Sequence, residues 1–277
     1  MNRLPVLPLI ILATLILGAG CLEEQGVVPA TPPTGHAAML LLLDDAAGKI
    51  QDALNGLDQA TAGAAGALET PGISGPVADT ELGRIVASQP VVQDVITYNQ
   101  DGHVLSAEPE DAKILVGQRL GDQAVLQAIA TRQPLLSDLF PLARGGYGVV
   151  IVHPVFSADG TFTGVVSTAF SPYELVAPIL LNVSRGTPCT FMVVQTGGRV
   201  LYDPDPEEVG RETFDETMYA EFPEIIAFAR QYSGNRTGYG TYSFHSTGFG
   251  EIVRKEAFWT TVGVHGTEWR VMVIREL

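Results

Sequence analysis

The chain has 277 residues, 46% of them hydrophobic and 17% charged, enough apolar material for one large core or two small ones. A formal net charge of -15 sets it against nucleic acid and anionic lipid headgroups, which so acidic a protein repels. Neither is an expected partner.

Asn2 and Arg3 open the chain, Leu9 to Leu17 form an apolar run, and Gly18, Ala19 and Gly20 lead into Cys21. A positive start, an apolar run and small residues make the pattern of a secretory signal. A cysteine straight after the small residues, followed by a Pro/Thr/Gly-rich stretch, reads as a lipidated residue on a flexible tether. Residues 1–20 are therefore assigned to the signal and 21–35 to the tether. Gly18 stands where a lipobox has leucine, with Leu17 one step further back, and the same segment also reads as an uncleaved membrane anchor. Both readings put the rest of the chain outside the cytoplasm, anchored to the outer face of the cell membrane. After Leu43 no apolar run approaches the ~20 residues of a spanning helix. Cys189, in the apolar run 189–194, has no partner once Cys21 is modified; a small buried hydrophobe is expected there, and no disulfide.

From Gly35 to Leu68 apolar residues recur at three- and four-residue steps, predicting a long helix narrowed by its alanines. A Gly/Pro break at 71–76 precedes a shorter helix ending near Ser88. Strands are predicted over Val91 to Tyr98 and His103 to Ala107, flanking the turn Asn99-Gln100-Asp101-Gly102. A helix over Asp122 to Arg132 follows, then strands over Leu135 to Leu142, Tyr147 to Phe156 and Phe162 to Phe170. Ser171-Pro172-Tyr173-Glu174 is a helix start: a capping serine, a proline at the first helical position and a glutamate completing the capping box. That helix should run to about Val183.

The order then repeats, with strands over 190–195 and 199–202, a helix over Thr213 to Gln231, and strands over 238–245, 251–264 and 269–274. Residues repeat too. Asp101-Gly102-His103-Val104-Leu105 corresponds to Gly197-Gly198-Arg199-Val200-Leu201, each followed by Pro-Glu (109–110; 206–207) and Val-Gly (116–117; 209–210). Tyr147-Gly148 is matched to Phe249-Gly250. Two copies of an α/β unit of about a hundred residues, hung on one long helix, is the simplest organisation.

Four features carry a resemblance to a known family: the long first helix, the strand pair turning at Asp101-Gly102, the stretch Val150 to Phe156 with Asp159-Gly160 and Gly164-Val165-Val166, and the run Gly198 to Gly210. In order and spacing these resemble a double Cache domain, the PAS-like extracytoplasmic sensor of prokaryotic receptors, with Tyr202 standing where a His is common. The resemblance covers residues 36 to 277. It implies an α+β fold with a long N-terminal helix and two tandem PAS-like modules with antiparallel sheets. The long helix and its connecting helix occupy 36–90, a membrane-distal module with a small-molecule pocket 91–183, and a membrane-proximal module 184–277. With no output region after Leu277, the expected role is sensing or binding on behalf of a separate membrane signalling or transport protein.

Five histidines without a His-x-x-x-His pair give no expected metal site, and no cofactor is expected. The run Asp203, Asp205, Glu207 and Glu208 reads as a solvated turn, because Pro204 and Pro206 interrupt it and an EF-hand glycine is lacking. There is no Gly-x-Ser-x-Gly elbow and no phosphate loop, so the chain reads as a binder and not an enzyme. The competing functions are an extracytoplasmic hydrolase and a structural accessory subunit of a membrane complex. Strand alternation puts Tyr147, Val149, Ile151 and His153 on one face, an apolar surface with two polar-tipped rings that suits a ligand pocket. Arg144 and Asp138 could reach the same space, and Tyr98 ends an earlier strand. The family's amino-acid-sensing branch carries an Arg-x-Trp-Tyr run before this strand and an Asp late in the strand after Gly164. Here Gly145-Gly146 precede Tyr147, and Ala169 stands about where the Asp would be. The resemblance therefore implies an ammonium-free ligand, a small carboxylate favoured.

Overall fold

The computed structural model describes residues 35–277, so the signal, Cys21 and the tether lie outside the described residues. Among those described, no helix is long and apolar enough to cross a membrane.

Helix α1 (His36–Ala67) is 32 residues long, about 48 Å at the α-helical rise. Met39, Leu43, Ala46, Ile50, Leu54 and Leu57 follow one another at steps of three and four and are all buried. This stripe packs on both sheets of the molecule, with a continuous core running from Val149 and Phe170 through the helix to Val262, Trp269 and Val273. Helix α2 (Pro76–Ser88) starts on its proline and covers the first strand pair.

The first sheet contains β1 (Val92–Asn99), β2 (Val104–Glu108), β3 (Leu135–Leu136), β4 (Phe140–Pro141), β5 (Tyr147–Phe156) and β6 (Phe162–Phe170). Its order is β2-β1-β6-β5-β3, with β4 also on β5, and all its pairs are antiparallel. Helix α3 (Gln123–Thr131) covers the face away from α1. Helix α4 (Pro172–Ser184) then leads to the second sheet, with Ser171 capping it by accepting a 3.2 Å hydrogen bond from the Glu174 amide. That sheet contains β7 (Cys189–Gln195), β8 (Val200–Tyr202), β9 (Gly238–His245), β10 (Ile252–Val264) and β11 (Thr267–Glu276), in the order β8-β7-β11-β10-β9. Helix α5 (Pro223–Gly234) packs on its outer face. The fold is α+β: one long helix and two tandem modules of like topology, each with an antiparallel sheet.

The duplication reaches individual hydrogen bonds. The amides of Val104 and Gly117 bond to Gln118 and to Val104, and those of Val200 and Gly210 bond to Arg211 and to Val200 in the same pattern. The third correspondence shifts: Phe249 and Gly250 lie in the β9–β10 turn, whereas Tyr147 already begins β5.

Two predicted elements come out shorter. The strand over 135–142 breaks into β3 and β4, because Ser137 turns its backbone and side chain to Val150 and interrupts the ladder. The helix over 213–231 begins only at Pro223, a residue suited to a helix start and not its interior. The segment before it is a set of turns, one held by Asp215 accepting from Thr217 and Met218. The acidic run 203–208 is not wholly solvated either. Glu208 is buried and accepts from Tyr219 and Arg211, and Asp203 is pushed up to about 7 by burial. Cys189 is buried and free.

Candidate ligand-binding site

The first sheet has two buried faces, and strand alternation assigns every residue to one of them. Val95, Thr97, Val149, Ile151, Val166 and Phe170 face α1 and α2, where Thr61 of α1 donates to Thr168 at 2.8 Å. Asp94, Ile96 and Tyr98 of β1, Val150 of β5, and Ser167 and Ala169 of β6 face the other way. On that side lies a cavity of about 680 Å³, closed by the segment 115–124, by the start of α3 and by the loop 135–143. His265, from the β10–β11 turn of the second module, and Thr267, at the start of β11, also border it.

Three carboxylates line this cavity. Asp94 is buried on β1, and desolvation pushes its carboxyl up to about 6 even though Arg144 stands 3.6 Å away and pulls the other way. Asp122 caps α3, accepting from the amides of Ala124 at 2.9 Å and Val125 at 3.4 Å; burial raises its carboxyl against the pull of those bonds. Asp138 sits in the covering loop and accepts a 2.8 Å hydrogen bond from Gln195 of β7. Among the described lining residues none is Lys or Arg.

The five sequence candidates divide. Tyr98 and Asp138 line the cavity, Tyr98 almost wholly buried with its hydroxyl pushed up by desolvation. Tyr147 and His153 do not line it, because the cavity opens on the opposite face of β5. Tyr147 is 59% exposed and borders a smaller depression with Leu139, Tyr173 and Leu201. His153 lies on the α1 face, its Nε2 2.7 Å from Asp58 Oδ1. Arg144 is outside the lining, engaged with Asp94, Asp111 and the Gln93 carbonyl. Sequence reasoning missed Asp94 and Asp122, although Asp94 was visible as a lone acid alternating with Ile96 and Tyr98 in an apolar run.

The expectation of an ammonium-free ligand rested on Gly145-Gly146 in place of the Arg-x-Trp-Tyr run and on Ala169 in place of an acid on β6. The antiparallel ladder sets Asp94 of β1 directly opposite Ala169. A carboxylate is thus present at that level of the sheet, delivered from the neighbouring strand, so the missing acid on β6 does not by itself exclude an ammonium group.

Residues 52–172 match the family model described as HK/GC/Chemotaxis protein-like, sensor domain. The fold, a long N-terminal helix followed by two antiparallel sheets, is of the tandem PAS-like (Cache) type. Among solved structures, an extracellular ligand binding receptor from Desulfohalobium retbaense is 26% identical over 87% of this chain and 41% of its own, with a TM-score of 0.74. This chain therefore spans about two fifths of that receptor's length. The ligand-binding domain of the Pseudomonas aeruginosa amino acid chemoreceptor PctC, in complex with GABA, is 20% identical over 86% of this chain and 96% of its own, with a TM-score of 0.60. That of the Pseudomonas fluorescens chemoreceptor CtaA, in complex with L-serine, is 16% identical over 87% of this chain and 96% of its own, with a TM-score of 0.62. No curated protein matches the chain. The cavity lies within the matched residues 52–172, apart from His265 and Thr267.

Proposed function

We propose that this protein is an extracytoplasmic sensor whose distal Cache module binds a small ammonium-bearing metabolite, an amine or an amino acid, without turning it over. The observation that carries the reading is a cavity of about 680 Å³ bordered by Asp94, Asp122 and Asp138, with no Lys or Arg among its described lining residues. A volume in this range suits a small organic ligand. Asp94 is held in a state that costs free energy to ionise, and a ligand ammonium beside it would relieve that cost. GABA and L-serine, the ligands of the two chemoreceptor neighbours, both carry an amino group, which agrees with this choice. A structural accessory role would call for a distal module filled by side chains, and the cavity argues against it.

Cys21 is the proposed lipid attachment point, and a separate membrane signalling or transport protein the proposed recipient of the signal. The test of ligand class is a thermal-shift panel pairing amines and amino acids with their des-amino counterparts, such as GABA with butyrate. A ligand that binds only the native state raises the melting temperature. The amino-bearing member of a pair should raise it and the des-amino member should not; stabilisation by carboxylates alone would reject the ammonium reading.

A further inference from the structure

Asp58, His153 and His265 come from three separate elements: the middle of α1, strand β5 of the distal sheet, and the β10–β11 turn of the proximal module. Asp58 Oδ1 stands 2.7 Å from His153 Nε2 and 2.5 Å from His265 Nε2, and the three atoms lie within 4.8 Å of one another. The two imidazole rings meet edge to face, with centroids 5.3 Å apart. All three side chains are largely shielded, at 22%, 13% and 20% exposure.

We propose that this cluster is a divalent transition-metal site, with zinc the fitting ion, bound by Asp58 Oδ1, His153 Nε2 and His265 Nε2. Two imidazoles and one carboxylate form a donor set of the kind zinc takes, and a fourth position is left for water or a ligand. Tetrahedral zinc with bonds of about 2.0–2.1 Å sets its donors roughly 3.3 Å apart, so the two contacts to Asp58 open by less than an ångström on metal entry. Side-chain rotation supplies that much. Nitrogen donors favour zinc or nickel over calcium or magnesium, which prefer all-oxygen shells.

The turn carrying His265 gives independent support. His265 has φ of 53° and Gly266 φ of 86°, so both central residues of this two-residue hairpin are left-handed. Asn-Gly is the sequence such a turn favours. A histidine in that place gives up turn propensity and presents an imidazole to Asp58. An ion held there would fasten the proximal hairpin to the distal sheet and to α1, beside the cavity that His265 also borders.

The full chain, dialysed against chelator, should be titrated with Zn²⁺ at neutral pH by calorimetry, with melting temperature followed in parallel. One ion per chain is expected, together with a rise in melting temperature that chelator reverses. His265→Asn suits the left-handed turn, and His153→Gln can still hydrogen-bond to Asp58, so both variants should melt as wild type does without metal. Each should lose more than about tenfold in zinc affinity, since even partners outside the ligand shell cost 10–100-fold. Co²⁺ should give the visible absorption of a four-coordinate site in wild type and not in either variant. Undetectable zinc binding, equal affinity in wild type and both variants, or a preference for Ca²⁺ over Zn²⁺ would each overturn the proposal. None of these results depends on the distal cavity's ligand.

Discussion

Asp94 and Asp203 are each held in a buried position that disfavours their charged form, at about 6 and about 7 against the usual 3.8. The consequence for stability has a definite sign. A carboxyl whose folded value is raised destabilises the fold when ionised; the cost is absent below its unfolded value of about 4 and fully present above its folded value. The ligand-free protein should therefore gain stability as pH falls from about 7 towards about 4. Asp58 and Glu256 shift the other way. Burial works to raise both, but their hydrogen-bonding partners outweigh it and hold them low, so their losses begin only at more acidic pH. Melting curves across that window test this: wild type should become more stable on acidification, and Asp94→Asn and Asp203→Asn should each flatten the slope. A melting temperature that falls throughout the same window would contradict the assignment. Asp94 was legible in the sequence as an acid alternating with Ile96 and Tyr98. What alternation could not tell is which of two buried sheet faces carries the cavity, and this is why Tyr147 and His153 were assigned to it. The Asp58–His153–His265 cluster was illegible for a different reason, because only the tertiary fold brings its three members together.

At the scale of elements, periodicity and turn chemistry located most of the structure. The predicted bounds of β5, β6 and β9 coincide with those found, and the Ser171 cap and the α1 stripe are where their residues place them. Failures fall where a side chain competes for the backbone, as at Ser137, or where a proline starts a helix that apolar spacing alone extends too far back, as at Pro223. Two glycines give a test in which one substitution has opposite signs. In α1, Gly48 is exposed with nothing within 4 Å of an added Cβ, so Gly48→Ala should stabilise by about 0.4–1 kcal/mol. In β6, a Cβ on Gly164 would lie 2.0 Å from the Tyr98 carbonyl oxygen across the β1–β6 ladder. Gly164→Ala should therefore destabilise by about 2–3 kcal/mol or more. Urea unfolding of the two variants checks both signs; a neutral Gly164→Ala would mean that the two strands stand further apart than described.

Across the whole molecule, the first sheet module and α1 are tied to the second module around the border of the cavity. Gln195 of β7 donates to Asp138, Thr267 donates to the Leu136 carbonyl at 2.6 Å, and His265 meets Asp58. A ligand engaging Asp138 would thus pull on a residue already bonded to the second sheet. The duplication behind this arrangement was readable from Gly, Pro-Glu and Val-Gly spacings, because those residues build the same turns and hydrogen bonds in both modules. Which module holds the larger cavity was not readable from those shared residues; that came only from the resemblance. If Cys21 carries the tether, Cys21→Ala should release the protein from membranes or block its processing, as detergent partitioning would reveal. Identical partitioning and mobility of mutant and wild type would reject the lipid anchor while leaving the binding site untouched.

The central claim is that the distal cavity recognises an ammonium group through its carboxylates, with Asp94 foremost. Isothermal titration of the tightest-binding amine or amino acid into wild type and Asp94→Asn measures this directly. Loss of a buried charged partner typically costs ~2–5 kcal/mol of binding. The expected result is one site in wild type and an affinity lower by well over tenfold in the variant, with the fold intact. Equal affinity in the two proteins would contradict the account.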